Sequence, residues 1–171
     1  CMYEVLRSVP AEEVEVTTPI ARARGRRLVP GSVAAIPVLR AGLGMLEGVL
    51  DVLPDAAVGH IGLERDETTH RSATYYCKLP AGLERRLCLV LDPMLATGGS
   101  ASRAVDIVKE RGARSIRLVA LIAAPEGIAA LTARHPDVPI YAAAVDERLN
   151  ENAYIVPGLG DAGDRLFDTV H

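Results

Sequence analysis

Residues 87–100 read LCLVLDPMLATGGS, and this stretch decides the fold of the chain. It opens with the continuous apolar run Leu87–Leu91, which is typical of a strand buried on both faces of a parallel sheet. The loop beyond it contains two adjacent glycines, and apolar residues then recur over 100–111 with the period of a helix that Gly112 ends. A strand, a tight loop and a helix in succession form the repeating unit of an α/β fold.

Apolar runs and helical periods alternate on both sides of this unit. The apolar runs predict strands at 33–39, 58–63, 116–123 and 140–145. The helical periods predict helices at 42–53 and 126–134. Before residue 30 the pattern is irregular, and only the alternation of Val14, Val16 and Thr18 indicates a short strand. We therefore predict an α/β fold with a central, mostly parallel sheet flanked by helices, in which ligands bind at the carboxyl ends of the strands.

The composition predicts one globular domain over residues 1–171, because 49% of the positions are hydrophobic and 24% are charged. The net charge of −3 argues against nucleic acid as a partner, since affinity for phosphates rests on excess positive charge. No apolar run reaches the roughly 18 residues of a membrane span, so no membrane association is expected. Three cysteines without paired spacing fit a reducing, cytoplasmic location. Residue 1 is Cys rather than Met, and we expect the true N-terminus to precede it.

The loop after the central strand carries groups suited to a sugar phosphate. Gly98 and Gly99 allow the backbone to approach a ligand, and the N-terminus of the following helix favours a phosphate. Asp92, at the tip of the strand, is an acceptor suited to sugar hydroxyls. The loop lacks the Gly-Lys-Ser/Thr ending of a Walker loop. From the residues alone, a plain strand–turn–helix junction with Ser100 as the helix N-cap is an equally good interpretation.

Three segments resemble one family. Residues 92–100, DPMLATGGS, resemble the loop that binds 5-phospho-α-D-ribose 1-diphosphate (PRPP) in type I phosphoribosyltransferases, in the form typical of the uracil phosphoribosyltransferases. Residues 37–44, PVLRAGLG, resemble that family's diphosphate-binding loop, and residues 154–164, YIVPGLGDAGD, resemble its uracil-recognition segment. The resemblance implies a type I phosphoribosyltransferase fold with a small hood at about 146–165. It also agrees with an exposed, flexible β-arm at about 64–78, where the sequence is polar and then β-prone.

The resemblance also implies the roles of individual residues. The catalytic residues would be Arg40, Asp92 and Asp161. These three would bind PRPP together with Arg65 and the loop residues Pro93, Met94, Leu95, Ala96, Thr97, Gly98, Gly99 and Ser100. Uracil would be bound by Ile155, Gly160, Asp161 and Ala162. Arg71 and Lys78 are alternatives to Arg65, Asp164 is assigned a structural role only, and none of the four histidines is assigned a catalytic role.

The implied reaction joins uracil to PRPP and yields uridine monophosphate (UMP) and diphosphate. Mg²⁺ is the expected cofactor; it would arrive with PRPP without fixed protein ligands, Asp161 being the one candidate. The family further implies a homodimer or higher homo-oligomer and GTP as an effector. Two other functions stay open: an RNA-binding regulator on the same fold, and transfer to a purine. The acidic net charge argues against the first, and the scarcity of large aromatic residues for stacking argues against the second.

Overall fold

The structure of the chain is a computed structural model that describes residues 1–65 and 72–169. The strands are β1 (Ala11–Thr17), β2 (Arg22–Leu28), β3 (Val33–Leu39), β4 (Ala57–Val58), β5 (His60–Arg65), β6 (Ser72–Lys78), β7 (Leu87–Leu91), β8 (Met94–Leu95), β9 (Ser115–Ala123), β10 (Ile140–Val145), β11 (Arg148–Leu149) and β12 (Ile155–Val156). The helices are α1 (Met2–Leu6), α2 (Leu43–Val52), α3 (Gly99–Glu110), α4 (Pro125–Arg134) and α5 (Ala162–Phe167), with one 3-10 turn at Leu83–Arg85.

The central sheet has the order β10-β9-β7-β3-β5-β6, with the short strands β4 and β8 paired to β3 and β9. All of its pairs are parallel except β5 with β6 at one edge, so the predicted mostly parallel sheet is confirmed. The strands β7 and β10 coincide with the predicted ranges 87–91 and 140–145.

Side chains on successive residues of the central strands point to opposite faces of the sheet, and both faces are covered. On β7, Cys88 and Val90 pack with the buried residues of α3 and with Leu131 of α4. Leu89 and its neighbours on the same side pack with Val5 of α1 and with α2. Continuous apolar runs are therefore required in β3 and β7, because nearly every residue of these two strands is buried.

Two small antiparallel sheets lie outside this core. The first is the hairpin of β1 and β2, which the sequence indicated only as a short strand near residue 14. The second pairs β11 with β12 within the predicted hood. At the predicted arm, β5 and β6 form an antiparallel pair. Residues 66–71, which include the alternative Arg71, lie outside the described residues. None of the helices in the described ranges is long and apolar enough to cross a membrane.

Candidate active site

The three segments singled out in the sequence meet at one pocket of about 350 Å³ at the carboxyl ends of β3 and β7. The predicted residues that line it are Arg40, Asp92, Met94, Leu95, Ala96, Thr97, Gly98, Gly99, Ser100, Ile155, Gly160, Asp161 and Ala162. Gly163, which the sequence indicates as a small residue of the uracil pocket, also lines it, and so do Leu63 of β5 and Tyr154, to which no role is assigned from the sequence. Arg65 is the last residue of β5, and its role stays a prediction.

The loop between β7 and α3 is fixed along its length by β9 and α4. The carbonyl of Pro93 accepts from the amides of Leu121 and Ile122, at 3.1 and 3.0 Å, so Pro93 anchors the loop and is not a lining residue of the pocket. The amide of Ala124 donates to the carbonyl of Leu95 at 2.9 Å. These bonds hold the loop backbone in place without help from a ligand.

Helix α3 begins inside the pocket. Its N-cap is Gly98 at a φ of 79°, a left-handed conformation that glycine adopts without strain, and no side chain caps the helix. The interpretation with Ser100 as the N-cap is therefore wrong. The amide of Gly99 donates to Oγ1 of Thr97 at 3.4 Å, a long hydrogen bond that an anion could replace. The N-terminus of this twelve-residue helix therefore faces the pocket as a place where an anion can bind.

Helix α4 approaches the backbone of this loop most closely at Gly127. A methyl group on Gly127 would overlap the carbonyl oxygens of Ala96 and Leu95, the second at 2.7 Å. On the loop side, a methyl group on Gly98 would lie 2.9 Å from the carbonyl oxygen of Gly127. Two glycines facing each other therefore set the distance between α4 and the loop.

Asp92 follows β7 directly and lies half-buried in the wall of the pocket. Withdrawal from water raises the pKa of its carboxyl from 3.8 to about 6, and a hydrogen bond from the backbone of Met94 partly offsets this rise. The side chain still opens into the pocket, so water there weakens the effect. Asp92 is ionised at neutral pH and can accept hydrogen bonds from a ligand's hydroxyl groups.

Arg40 follows β3 in the same way, and its loop turns sharply back against the sheet. A methyl group on Gly42 would lie 2.5 Å from the carbonyl oxygen of Leu91 and 2.6 Å from that of Val38, so only glycine fits there. The guanidinium of Arg40 is half exposed and forms an ion pair with Asp164 at 3.1 Å. Asp164 therefore has a direct contact with a predicted catalytic residue, which the sequence analysis did not anticipate.

The predicted hood lines the pocket with residues 153–155 and 160–163. Ile155 is buried, and Gly160 has a φ of 77°. Asp161 caps α5 by accepting the amide of Asp164 at 2.9 Å. The carboxylate of Glu126 of α4 accepts a hydrogen bond from the amide of Leu149 at 2.9 Å. This bond connects the hood to the helix that also packs against the loop between β7 and α3 (residues 92–98, the phosphate loop).

Two carboxylates, those of Asp92 and Asp161, line the pocket and could contribute to a metal site. Within residues 1–65 and 72–169 no group of three or more His, Cys, Asp or Glu side chains is arranged to hold a metal ion. A metal bound here would take its remaining ligands from water and from the ligand's own oxygens.

Comparison with known proteins identifies the family of the chain. A family model described as uracil phosphoribosyltransferase matches residues 1–169. The chain belongs to the uracil phosphoribosyltransferase family. It is 63% identical over 167 residues to a uracil phosphoribosyltransferase of Symbiobacterium thermophilum, covering 98% of this chain and 80% of that protein. It is 57% identical over 168 residues to one from Ligilactobacillus salivarius, with the same coverage.

Solved structures agree on the fold of this uracil phosphoribosyltransferase family member. A protein structure from Aquifex aeolicus, 44% identical, superposes with a TM-score of 0.90 over 96% of this chain and 79% of that one. A purine phosphoribosyltransferase from Pyrococcus horikoshii, 19% identical, superposes with a TM-score of 0.57 over 69% of this chain and 73% of that one. At that identity the second match shows the shared type I phosphoribosyltransferase fold alone.

Proposed function

We propose that the pocket lined by Arg40, Asp92 and Asp161 is the active site in which this chain transfers the phosphoribosyl group of PRPP to uracil, forming UMP and diphosphate. The observation that carries this proposal is the meeting of the three segments, distant in sequence, at one pocket. A volume of about 350 Å³ lies within the range of small-ligand sites.

PRPP would lie across the floor of the pocket, with its 5-phosphate at the N-terminus of α3. The amides of residues 98–100 and the hydroxyls of Thr97 and Ser100 are the available donors. Asp92 would accept hydrogen bonds from the ribose 2- and 3-hydroxyls. Arg40 would bind the diphosphate, since a guanidinium offers paired donors to neighbouring phosphate oxygens.

Uracil would lie against the hood. The exposed peptide groups around Gly160 and Ala162 can pair with the alternating carbonyl and N–H groups of the ring, and Ile155 supplies an apolar contact. Cytosine presents a donor where uracil presents an acceptor, which would leave a buried group without its partner. Mismatches of this kind reduce the specificity constant by about 10⁴–10⁵.

The chain's contribution to the reaction is positioning and charge stabilisation. The bond from uracil N1 to the anomeric carbon would form as the bond from that carbon to diphosphate breaks, and N1 would release its proton to solvent. Negative charge grows on the leaving group, and Arg40 would stabilise that charge. Mg²⁺ bound to PRPP would supply further electrostatic stabilisation, and Asp161 and Asp92, whose carboxylates line the pocket, would help to hold it.

A homodimer is part of this proposal, and the β1–β2 hairpin supports it. One face of the hairpin carries Val14, Val16 and, across from Val16, Ala23; Val16 is 48% exposed. A two-stranded hairpin is marginally stable in water unless one face is covered. Light scattering of the wild type and of Val16→Glu tests this, because the charge should shift a dimer towards monomer.

GTP activation and a cytoplasmic location complete the proposal, and both rest on the family resemblance. The free thiols of Cys1, Cys77 and Cys88 fit a reducing compartment. Rates of UMP formation with and without GTP test the first, and fractionation of cells that express the protein tests the second.

The reaction itself is tested by supplying PRPP and Mg²⁺ with uracil, cytosine, orotate or hypoxanthine and measuring nucleotide formation. We expect UMP from uracil at a rate at least about 10³-fold above the other bases. Arg40→Ala should lower the rate by several orders of magnitude, and Arg114→Ala, an exposed arginine outside the pocket, should not. A preference for hypoxanthine, or full activity in Arg40→Ala, would contradict the proposal.

A further inference from the structure

Three residues near the C-terminus, Asp164, Phe167 and Thr169, contact the guanidinium of Arg40. Its Nη2 lies 3.1 Å from Oδ1 of Asp164, and its Nη1 donates to Oγ1 of Thr169 at 3.3 Å. The ring of Phe167 lies beneath the guanidinium, 5.8 Å from its central carbon. We propose that Asp164 is a positioning residue for the reaction, which holds Arg40 ready for the diphosphate of PRPP. This inference rests on the proposed role of Arg40.

Asp164 is the fixed partner in this contact. Its side chain is 15% exposed, against 50% for that of Arg40. The hydroxyl of Thr169 donates to Oδ1 of Asp164 at 2.7 Å, and the amide of Thr169 donates to its carbonyl oxygen at 3.1 Å. A carboxylate held in this way can orient a long, half-exposed arginine, whereas the arginine could not orient the carboxylate.

Asp164 also joins the two ends of the pocket. Its amide donates to the carboxylate of Asp161, which lines the uracil side, and its own carboxylate holds Arg40 on the diphosphate side. Asp164 thus contacts two of the predicted PRPP-binding residues, Arg40 and Asp161. Of these two, only Asp161 is also predicted to contact uracil, so a change at Asp164 is expected to act on PRPP more strongly than on uracil.

The contact leaves Arg40 able to bind a ligand. A guanidinium has five N–H groups, and Asp164 and Thr169 accept from only two of them. Restricting a free arginine side chain on binding lowers affinity by up to about 30-fold, through lost rotamer freedom. The C-terminal contacts already restrict the side chain of Arg40 before the ligand binds. We therefore expect them to strengthen diphosphate binding about 10-fold.

Electrostatic repulsion by Asp164 acts in the opposite direction on diphosphate binding, and the titration below measures which effect is larger. The negative charge of Asp164 repels diphosphate, and its removal would by itself tighten binding. Most of that charge is already compensated by the ion pair with Arg40 and the hydrogen bond from Thr169. Orientation should therefore outweigh repulsion.

The test is calorimetric titration of the full chain with inorganic diphosphate in the presence of Mg²⁺. The proteins are the wild type, Arg40→Ala, Asp164→Asn and the double variant. Asp168→Asn is the matched control: it makes the same charge change four residues away, at an exposed position with no contact to Arg40 among the described residues. We expect about 10-fold weaker binding in Asp164→Asn and unchanged binding in Asp168→Asn. In the Arg40→Ala background, Asp164→Asn should have no further effect.

The outcomes separate this inference from the proposed function. Equal binding by the wild type and Arg40→Ala would overturn the role of Arg40 and this inference with it. If Arg40→Ala weakens binding while Asp164→Asn leaves it unchanged or tightens it, only the inference is overturned. A further loss in the double variant would also overturn it, because Asp164 would then act through the fold rather than through Arg40.

A second variant guards against misfolding of Asp164→Asn, which thermal unfolding would reveal. Thr169→Val removes the hydroxyl that bridges Arg40 and Asp164 and keeps the shape of the side chain. Relative to the wild type, we expect this variant to bind diphosphate about 3-fold more weakly. Its KM for PRPP should be higher, and its KM for uracil should change little. An unchanged KM for PRPP in a folded Thr169→Val protein would contradict the inference.

Discussion

Asp92→Asn should stabilise the fold at neutral pH, although it is expected to damage activity. Partial burial raises the pKa of the Asp92 carboxyl from 3.8 to about 6. Between these two values the folded chain binds more protons at this site than the unfolded chain does, so stability falls as the pH rises. Above about pH 6 the full penalty is present, and below about pH 4 it is absent. Asparagine has the same shape and no charge to desolvate.

The magnitude follows from the size of the shift. A rise of about two pKa units corresponds to about 3 kcal/mol, of which about 2 kcal/mol develops between pH 4.5 and 7.5. The carboxylate of Asp92 meets water in the pocket, which reduces the penalty. We therefore expect the stability of Asp92→Asn relative to the wild type to increase by about 1–2 kcal/mol between these two pH values.

Urea denaturation at several pH values measures this difference. The quantity to follow is how the difference in free energy of unfolding between Asp92→Asn and the wild type changes with pH. Any effect of the amide that does not depend on pH cancels in this change. Asp137→Asn is the control, because its hydrogen bond from Lys109 lowers the pKa of Asp137 below 3.8. That carboxyl finishes its titration below pH 4.5, so the control difference should stay constant over the range. A constant or decreasing difference for Asp92→Asn would refute the reasoning about its burial.

Three more predictions concern the walls of the pocket. Gly127→Ala should raise the KM for PRPP at least about 10-fold, with less change in the KM for uracil, because the added methyl group displaces the carbonyl of Ala96. Gly48→Ala is the control: its methyl group meets nothing within 4 Å, and the variant should behave as the wild type in steady-state kinetics. The KM for PRPP should rise as the pH falls below about 6, where Asp92 takes up its proton; a flat profile down to pH 5 would exclude Asp92 as an ionised acceptor. Ile155→Ala should lower the free energy of unfolding by about 2–4 kcal/mol and raise the KM for uracil, because Ile155 is 3% exposed; an unchanged KM would remove it from the uracil site.

The central strands could be predicted from the sequence because their signal is local. The run Leu87–Leu91 is apolar at every position, and it is buried on both faces in the structure. The rule that ligands bind at the carboxyl ends of parallel strands then placed Arg40 and Asp92 at one edge of the sheet, which is where the structure has them.

The hairpin was only partly predicted, because its signal depends on pairing. Strand β2 reads RARGRRL, a basic stretch with no apolar alternation, and it becomes a strand through its register with β1. Cross-strand ion pairs, such as Arg22 with Glu15 and Arg27 with Glu12, replace the hydrophobic pattern that identifies most strands.

The contacts that complete the site could not be predicted, because they join distant parts of the chain. Arg40 and Asp164 are 124 residues apart, and neither carries a local pattern that indicates the other. The close approach of Gly127 to the phosphate loop likewise depends on how α4 crosses the sheet. Sequence patterns identify residue types suited to a chemistry, whereas the partners that orient them follow only from the assembled fold.

Titration with UMP tests most directly whether the phosphate loop and the hood form one site. UMP carries both the 5-phosphate and the pyrimidine, so it should bind once per chain and contact both walls. Gly98→Val should weaken UMP binding at least about 10-fold, because the added side chain would collide with the backbone of α4 and displace the phosphate loop. Ala162→Leu in the hood should weaken it to a similar extent, because the larger side chain adds bulk to the pocket wall. If either variant, shown to be folded, binds UMP with the affinity of the wild type, the two walls do not serve one ligand and the account is contradicted.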